Sequence, residues 1–570
     1  MNKIQEDIFK GIKKNWDYWT ITGFVLIAFI ILFVSGVWTP QMVHIDGIDP
    51  ICYFSYIHSI FFDKDLNFDN EYKALNAKLM GKVRRTPKGY PSNSFSIGPG
   101  LILSPVYLLT HLVILTGKKY LNWDVEPDGF STPYQFVTIA MLAFFGWIGL
   151  LLTHSFLKIF FPIHQSLAAT LIIFLTTNLI YYFFPQTFMP HSLSFFSISL
   201  FIFHFSKHIE DIKVFKIKQW IISGMLLGLA TLVRWQDFLF IILPILTLSS
   251  IVSKKQIFEK QNLKSVFFSL GGFLVACLVV FLPQMIAWKV INGSLLTIPQ
   301  GAGFLHLTRP ALLKVLFSTF NGLFSWHPIT LVAIIGIFFQ LKKNKILSTA
   351  FLLIFLGEYY INASVLDWHG SWGFGMRRFI NCCPIFAFGL AALLNKLESP
   401  KLRFSFLIGG ISIFIIWNML FLTQFYLGLI PKYRPLNFHE FVTQKFIILK
   451  AINRKRFTTA AKELIARRNL KDAERAIDLA LQLEPQSVDT CSTAGNYFMV
   501  KGDFNSAIHF YQKTLELEER GEWLYGLAVA YYYLDNLTEA KSNLLKVIKR
   551  NKEMVKESQQ FLKLLSGIQE

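Results

Sequence analysis

The chain has 570 residues, of which 53% are hydrophobic, 16% aromatic and only 16% charged, and its formal net charge is +20. So small a charged share cannot clothe a soluble protein of this length. The excess of Lys and Arg is scattered in short loops between apolar runs, where it sets membrane topology, so no nucleic-acid partner is expected. Five cysteines (Cys52, Cys277, Cys382, Cys383 and Cys491) show no metal-site spacing and no even disulfide framework, and read as packing residues.

Residues 1–17 are a cytoplasmic N-terminus carrying Lys3, Lys10, Lys13 and Lys14, followed by an apolar run from Tyr18 to Val37. That run is long for a signal peptide, has no small-residue cleavage site after it, and reads as a permanent first span. Later apolar stretches near 134–156, 165–184, 190–206, 219–234, 236–252, 265–289, 326–341, 346–363, 379–395 and 403–429 are predicted to cross as helices, because a helix is the element that satisfies its own backbone in lipid. Four basic loops fall between these stretches, around Lys207–Lys218, Lys254–Lys264, Lys342–Lys345 and Lys396–Arg403, and are expected in the cytoplasm. Counting back from them puts residues 38–133 in one outer loop, which requires the apolar stretch Gly98–Gly117 to be re-entrant or juxtamembrane. The prediction is an all-α, multi-pass bundle of about eleven spans over 18–430, with an inner or plasma membrane location and an extracytoplasmic C-terminus.

After a linker over 431–453 the apolar runs stop and amphipathic helices begin, over 454–570. Ala473, Ala507 and Ala540 recur at 34 and 33 residues, each in a similar frame, with Gly495, Phe498, Tyr511, Ala528 and Tyr531 at further matching positions. Tyr532 and Tyr533 follow, and these aromatic residues read mostly as core by spacing. A small residue every 34 or so, where two helices cross, resembles tetratricopeptide repeats. The resemblance implies an α-solenoid whose concave face recruits a protein or peptide.

The chemistry-bearing residues cluster in the predicted outer segments. Asp46, Asp49, Asp63, Asp65, Asp69 and Glu71 fall within 26 residues directly after the first span. A carboxylate held at the bilayer surface can deprotonate an acceptor hydroxyl, or hold a divalent cation (Mg or Mn, on Asp46 and Asp49) beside a lipid phosphate. A second outer segment, Trp368 to Phe379, combines His369 and three glycines with Arg377 and Arg378, and guanidinium groups match phosphate oxygens in charge and geometry. The third is Arg234-Trp235-Gln236-Asp237, in which Arg234 either meets a carrier phosphate or pairs with Asp237. His191 stands at the start of an outer helix. No phosphate-cradling Gly-Lys motif is present, which argues against an ATP-driven pump.

An aspartate shortly after the first span, the run Asp46-Gly47, Tyr53, Tyr56, Ser59, Asp65-Leu66 and Asn70-Glu71-Tyr72, and Ile97-Gly98-Pro99-Gly100 with Ser104-Pro105 together resemble the GT-C glycosyltransferases. That superfamily includes protein O-mannosyltransferases and aminoarabinose transferases. The segment Trp368–Phe379 is similar to an element of the same group, with Ser371-Trp372-Gly373 in a slightly altered order. The resemblance covers about 20–430 and implies inverting transfer of a sugar from a polyprenyl-phosphate donor to a protein, lipid or glycan acceptor. Asp46 would be the base with Asp49 assisting. Arg377, Arg378, Arg234 and His369 would hold the donor, and His191, Glu71 and Asp65 would be further site residues. A transporter or flippase of lipid-linked saccharides, and a non-catalytic scaffold acting through the repeats, are the competing readings.

Overall fold

The computed structural model describes residues 15–34, 44–45, 47–75, 83–184, 188–209, 217–253, 260–370, 373–431, 434–550 and 554–567. Asp46, the expected base, lies outside the described residues, as do Ser371, Trp372 and most of the basic loops over 210–216 and 254–259. Regular structure among the described residues is helical, apart from two isolated bridges, Arg85 with Pro91 and Leu305 with Val365. The chain divides into two compact units, one formed by Met1–Leu422 with Lys432–Pro435 and one by Thr423–Pro431 with Leu436–Glu570.

Among the described residues of the whole chain, six helices are long and apolar enough to cross a bilayer: Gly98–Leu121, Thr132–Phe160, Phe267–Asn292, Lys345–Ser364, Arg377–Lys396 and Pro400–Tyr426. Shorter apolar helices run over Trp16–Ile31, Ile163–Thr176, Ile217–Val233, Trp235–Ser250 and Ile329–Phe338. These lengths and compositions are those of a multi-pass membrane protein. Each of the eleven stretches predicted to cross has a helix at its position, including His191–Ile209. Small residues bring the helices together, as expected where lipid removes the hydrophobic drive for association. A Cβ on Gly224 would strike the Phe273 carbonyl and one on Gly228 the Cys277 carbonyl, so these two glycines, four apart on Ile217–Val233, let the Lys260–Asn292 helix lie directly on them. Gly336 and Gly389 do the same between Ile329–Phe338 and Cys383–Lys396.

The Thr132–Phe160 helix fixes two ends of this unit. Near its end, Lys158 and His154 reach the buried Asp17 carboxylate at 2.7 and 2.8 Å, at the start of the first helix. Near its start, Gln135 accepts from the Ile45 amide of the predicted outer loop. The separation of those contacts along the helix is about 35 Å at 1.5 Å per residue, a bilayer's thickness.

The helix expected to be juxtamembrane extends over Gly98–Leu121. Its first residue lies against the backbone of Leu232 and Val233. The chain that leaves its far end comes back alongside it, where Tyr107 donates to the Gly129 carbonyl at 3.0 Å and His111 meets Tyr134 at 2.6 Å. The next helix therefore starts level with the middle of this one, and both belong to one aromatic core with Ile51, Phe54, Tyr56 and Tyr72.

In the second unit, helices Ile448–Ala466, Leu470–Leu483, Val488–Lys501, Phe504–Leu517, Gly521–Tyr533, Leu537–Arg550 and Val555–Gly567 pack in consecutive order. Side chains of Asn469, Ser487 and Asp503 cap three of them by accepting a backbone N–H of the first turn. Ala473, Ala494, Ala507, Ala528 and Ala540 are fully buried in the crossings. Tyr511 is buried too, but Tyr533, expected in the core, is 58% exposed and lies flat on Phe504 at 4.7 Å.

Candidate active site

Four of the predicted residues, Asp49, Arg234, Arg377 and Arg378, line one cavity of about 490 Å3 in the first unit, and His191 lines it with them. Each arrives from a helix end. Asp49 stands in the first turn of Ile48–His58, and Arg234 caps Ile217–Val233 before a 3-10 turn over Trp235–Ile241. His191 opens its helix, and Arg377 and Arg378 open a 3-10 turn leading into Cys383–Lys396. Helix ends are where a charged group is tolerated beside lipid. The predicted outer loop is tied to the Arg234 turn, because Ser96 donates to the Val233 carbonyl and the Ile97 amide donates to Gln284 at 2.8 Å.

Three guanidinium groups face two carboxylates in this wall, and their pairing is uneven. Arg377 donates from Nη2 to Asp49 at 2.8 Å. Arg378 is engaged by Asp367, through Nη2 to the carboxylate at 2.7 Å and Nη1 to the carbonyl at 3.0 Å. Arg234 is only 8% exposed, and its Nη1 has no hydrogen-bond partner among the described residues. It forms no ion pair with Asp237 there; that carboxylate instead accepts from Ser194 at 2.6 Å and Asn381 at 2.8 Å. Both ring nitrogens of buried His191 also lack a partner, while its ring meets Tyr182 edge-on at 4.6 Å. A buried cation and a buried imidazole with unmet polar atoms at a cavity wall suit an anionic, hydrogen-bonding ligand.

Behind the arginines lies a polar network that the sequence reading missed. Asn381 donates to Asp237 and, at 2.6 Å, to Glu358. Gln236 donates to Glu358 at 3.1 Å and to the Arg378 carbonyl at 3.2 Å. Asp237, Glu358 and Asn381 are fully buried. The network joins His191–Ile209, Lys345–Ser364 and the turns that carry Arg234 and Arg377, so it sets the spacing of the arginines. Glu358 was legible as the single carboxylate of an apolar run, which is by itself a pointer to function or pairing. The lining also holds aromatic pairs, with Trp235 and Trp288 5.0 Å apart and Tyr53 beside Phe95 at 4.8 Å.

The glycines before Arg377 serve the protein itself. Gly375 has φ +64 and a Cβ there would collide with His327, and a Cβ on Gly373 would press on Tyr182 and Arg377. Close packing at these glycines seats the guanidinium.

Other predicted residues lie apart from the cavity. His369 stacks on Phe320 at 4.3 Å, and burial holds its imidazole below the usual value. Asp65 accepts from Ser59 at 2.8 Å and from the Asn67 amide at 3.1 Å, which makes it a turn residue. Glu71 sits with His58 and Asp63 near the far end of the helix that Asp49 begins. A divalent cation on Asp49 fits poorly, because that carboxylate already faces the Arg377 guanidinium, which repels a dication.

No protein-family model matches the sequence, and no curated protein does. Among solved structures, the fold is similar to the crystal structure of ArnT from Cupriavidus metallidurans bound to undecaprenyl phosphate, with a TM-score of 0.46, 12% identity, and coverage of 88% of this chain and 82% of that one. A likeness at that level carries no chemistry across.

Proposed function

We propose that this chain is an integral-membrane glycosyltransferase that takes a sugar from a polyprenyl-phosphate donor and passes it to an acceptor on the extracytoplasmic face. The observation that carries the reading is the convergence of Arg234, Arg377 and Arg378 with Asp49 on one cavity at the helix ends. Arg377, and Arg234 with its Nη1 unmet among the described residues, suit the phosphate of a lipid lying alongside the bundle. The Trp235–Trp288 wall, with Gln236 and Asn362 nearby, offers apolar faces and hydrogen bonds together, as a sugar ring requires.

In this reading the Asp46 carboxylate takes the proton of the acceptor hydroxyl, whose oxygen attacks the anomeric carbon from the face opposite the phosphate. The bond from that carbon to the phosphate oxygen breaks, and polyprenyl phosphate leaves with one more negative charge, which Arg234 and Arg377 stabilise. Asp49 is assigned to holding Arg377, since its carboxylate already accepts from that guanidinium. The Ile45–Gln135 contact, four residues before Asp49 in sequence, stands about 35 Å along the Thr132–Phe160 helix from the Asp17–Lys158 contact, which supports placing the cavity on the face opposite a cytoplasmic N-terminus. The second unit is read as tetratricopeptide repeats, extracytoplasmic, presenting a protein acceptor. The divalent metal is not needed for this step.

The test uses full-length protein in lipid nanodiscs with polyprenyl-phosphate sugars, reading release of polyprenyl phosphate. Wild type should release it, Asp46→Asn should lose about 10²–10⁴-fold in rate as for a missing general base, and an unchanged rate in Asp46→Asn with Asp49→Asn would overturn the mechanism. A proton-coupled transporter of lipid-linked saccharides is the second reading, favoured by the buried Asp237–Glu358 pair. It predicts saccharide movement across vesicles without release of polyprenyl phosphate.

A further inference from the structure

We propose that His58, Asp63 and Glu71 form a binding site for a first-row divalent cation of the zinc type, separate from the arginine-lined cavity. The three donors come from consecutive pieces of the predicted outer loop: the last turn of Ile48–His58, the π-helical turn Ser59–Asp63, and the Asp69–Leu75 helix. His58 Nδ1 stands 3.0 Å from Glu71 Oε1 and 3.2 Å from Asp63 Oδ2. One donor atom from each residue can be chosen so that all lie within 4.8 Å of one another. Donors so spaced are compatible with bonds of about 2.0–2.2 Å to one ion.

The tautomer of His58 gives the arrangement its meaning. Its Nε2 is 3.1 Å from the Asp128 carbonyl, and a carbonyl only accepts, so Nε2 carries a proton. A neutral His58 therefore turns the lone pair of Nδ1 toward two carboxylates, which repel it unless a positive charge sits between them. An imidazole whose far N–H donates to a backbone carbonyl is the usual orientation of a metal-binding histidine. Gly129 makes that bond possible, because a Cβ there, at φ +77, would run into the His58 ring and the Tyr107 hydroxyl. Phe62 and Phe130 stack on the imidazole at 4.9 and 3.9 Å and fix its plane.

A second observation points to a ligand. Glu71 is fully buried and its Oε2 has no hydrogen-bond partner, although the carboxyl group belongs to the cluster. An unmet carboxylate oxygen at zero exposure is costly, and a cation meets that cost. Asp63, with 31% of its side chain exposed, leaves the cluster open to solvent for a water ligand. One imidazole with two carboxylates favours zinc or manganese over calcium or magnesium, which prefer oxygen alone. None of the three residues lines the arginine cavity, and His58 is about 14 Å along its helix from Asp49. The ion would clamp the helix that presents Asp49 to the two segments after it.

The test strips full-length protein in detergent with a chelator, reloads it with Zn2+ or Mn2+ separately, and measures metal content, affinity and thermal unfolding. The expected result is one Zn2+ per chain and a raised Tm. Asp63→Asn and Glu71→Gln should each weaken binding at least about 10-fold and abolish the Tm rise, while Asp49→Asn retains both. Asp63→Asn alters a partly exposed side chain and keeps the test readable if Glu71→Gln does not fold. The proposal is overturned if wild type holds neither ion, in which case a proton on His58 neutralises the cluster, or if the two cluster variants bind as wild type does.

Discussion

Arg377 and Arg234 look alike in composition but hold different positions in the charge balance of the cavity. Arg377 is oriented by Asp49, whereas Arg234 is buried with an unmet N–H. Arg377→Lys keeps the charge but loses the planar fork, and is expected to lower the rate of polyprenyl phosphate release by about 10²–10³-fold. Asp49→Asn should cost only about 10-fold and act mainly on the KM for the donor, since it loosens a binding group and removes no base. Steady-state kinetics on the two variants separates these effects; equal losses in kcat would give Asp49 a role in the chemistry itself. The pairing of these two residues was not legible beforehand. They are 328 positions apart, and nothing local in either segment names its partner, although each segment was recognisable by its own residue types.

Helices were the most legible part of the molecule, because a stretch that must satisfy its backbone in lipid announces itself by length and hydropathy. What stayed hidden is what happens inside those stretches. Glu358 and Asn381 were absorbed into apolar runs, and only the fold brings them to Asp237. Asn381→Leu should leave both buried carboxylates short of a donor and destabilise the protein by about 1–3 kcal/mol for each unmet group, read as a lower Tm in detergent. An unchanged Tm would mean that other donors take over the network. Gly389→Val tests the packing in the same way: the new side chain meets the Ala333 carbonyl, and overpacking of about 1–3 kcal/mol should lower Tm without any contact with the cavity. His58 stands as a lone histidine in an aromatic run and carries no motif by itself. The spacing of His58, Asp63 and Glu71, three metal-type donors within one loop, was the signal available.

A break in hydropathy near 430–450 is the signal for the expected division into a membrane region and a repeat region; the chain forms two compact units, the second holding Leu436–Glu570, in which Ala473, Ala507 and Ala540 are all fully buried. Membrane sidedness rests on loop charge and on the Thr132–Phe160 helix, whose ends touch Ile45 and Asp17 respectively. A reporter active only in the cytoplasm, fused after residue 440, should stay silent; activity there would invert the second unit and remove its access to an extracytoplasmic acceptor. The central claim, that the arginine-lined cavity transfers a sugar from a lipid phosphate, is tested most directly by mass spectrometry of envelope glycans and glycoproteins. Three strains are compared: one making the wild-type chain, one lacking it, and one making an Arg234→Gln, Arg377→Gln double variant at equal abundance. The account predicts that one sugar mass disappears from one class of glycan or glycoprotein in both the second and third strains, while its polyprenyl-phosphate donor accumulates. Spectra of the double-variant strain that match wild type would contradict it.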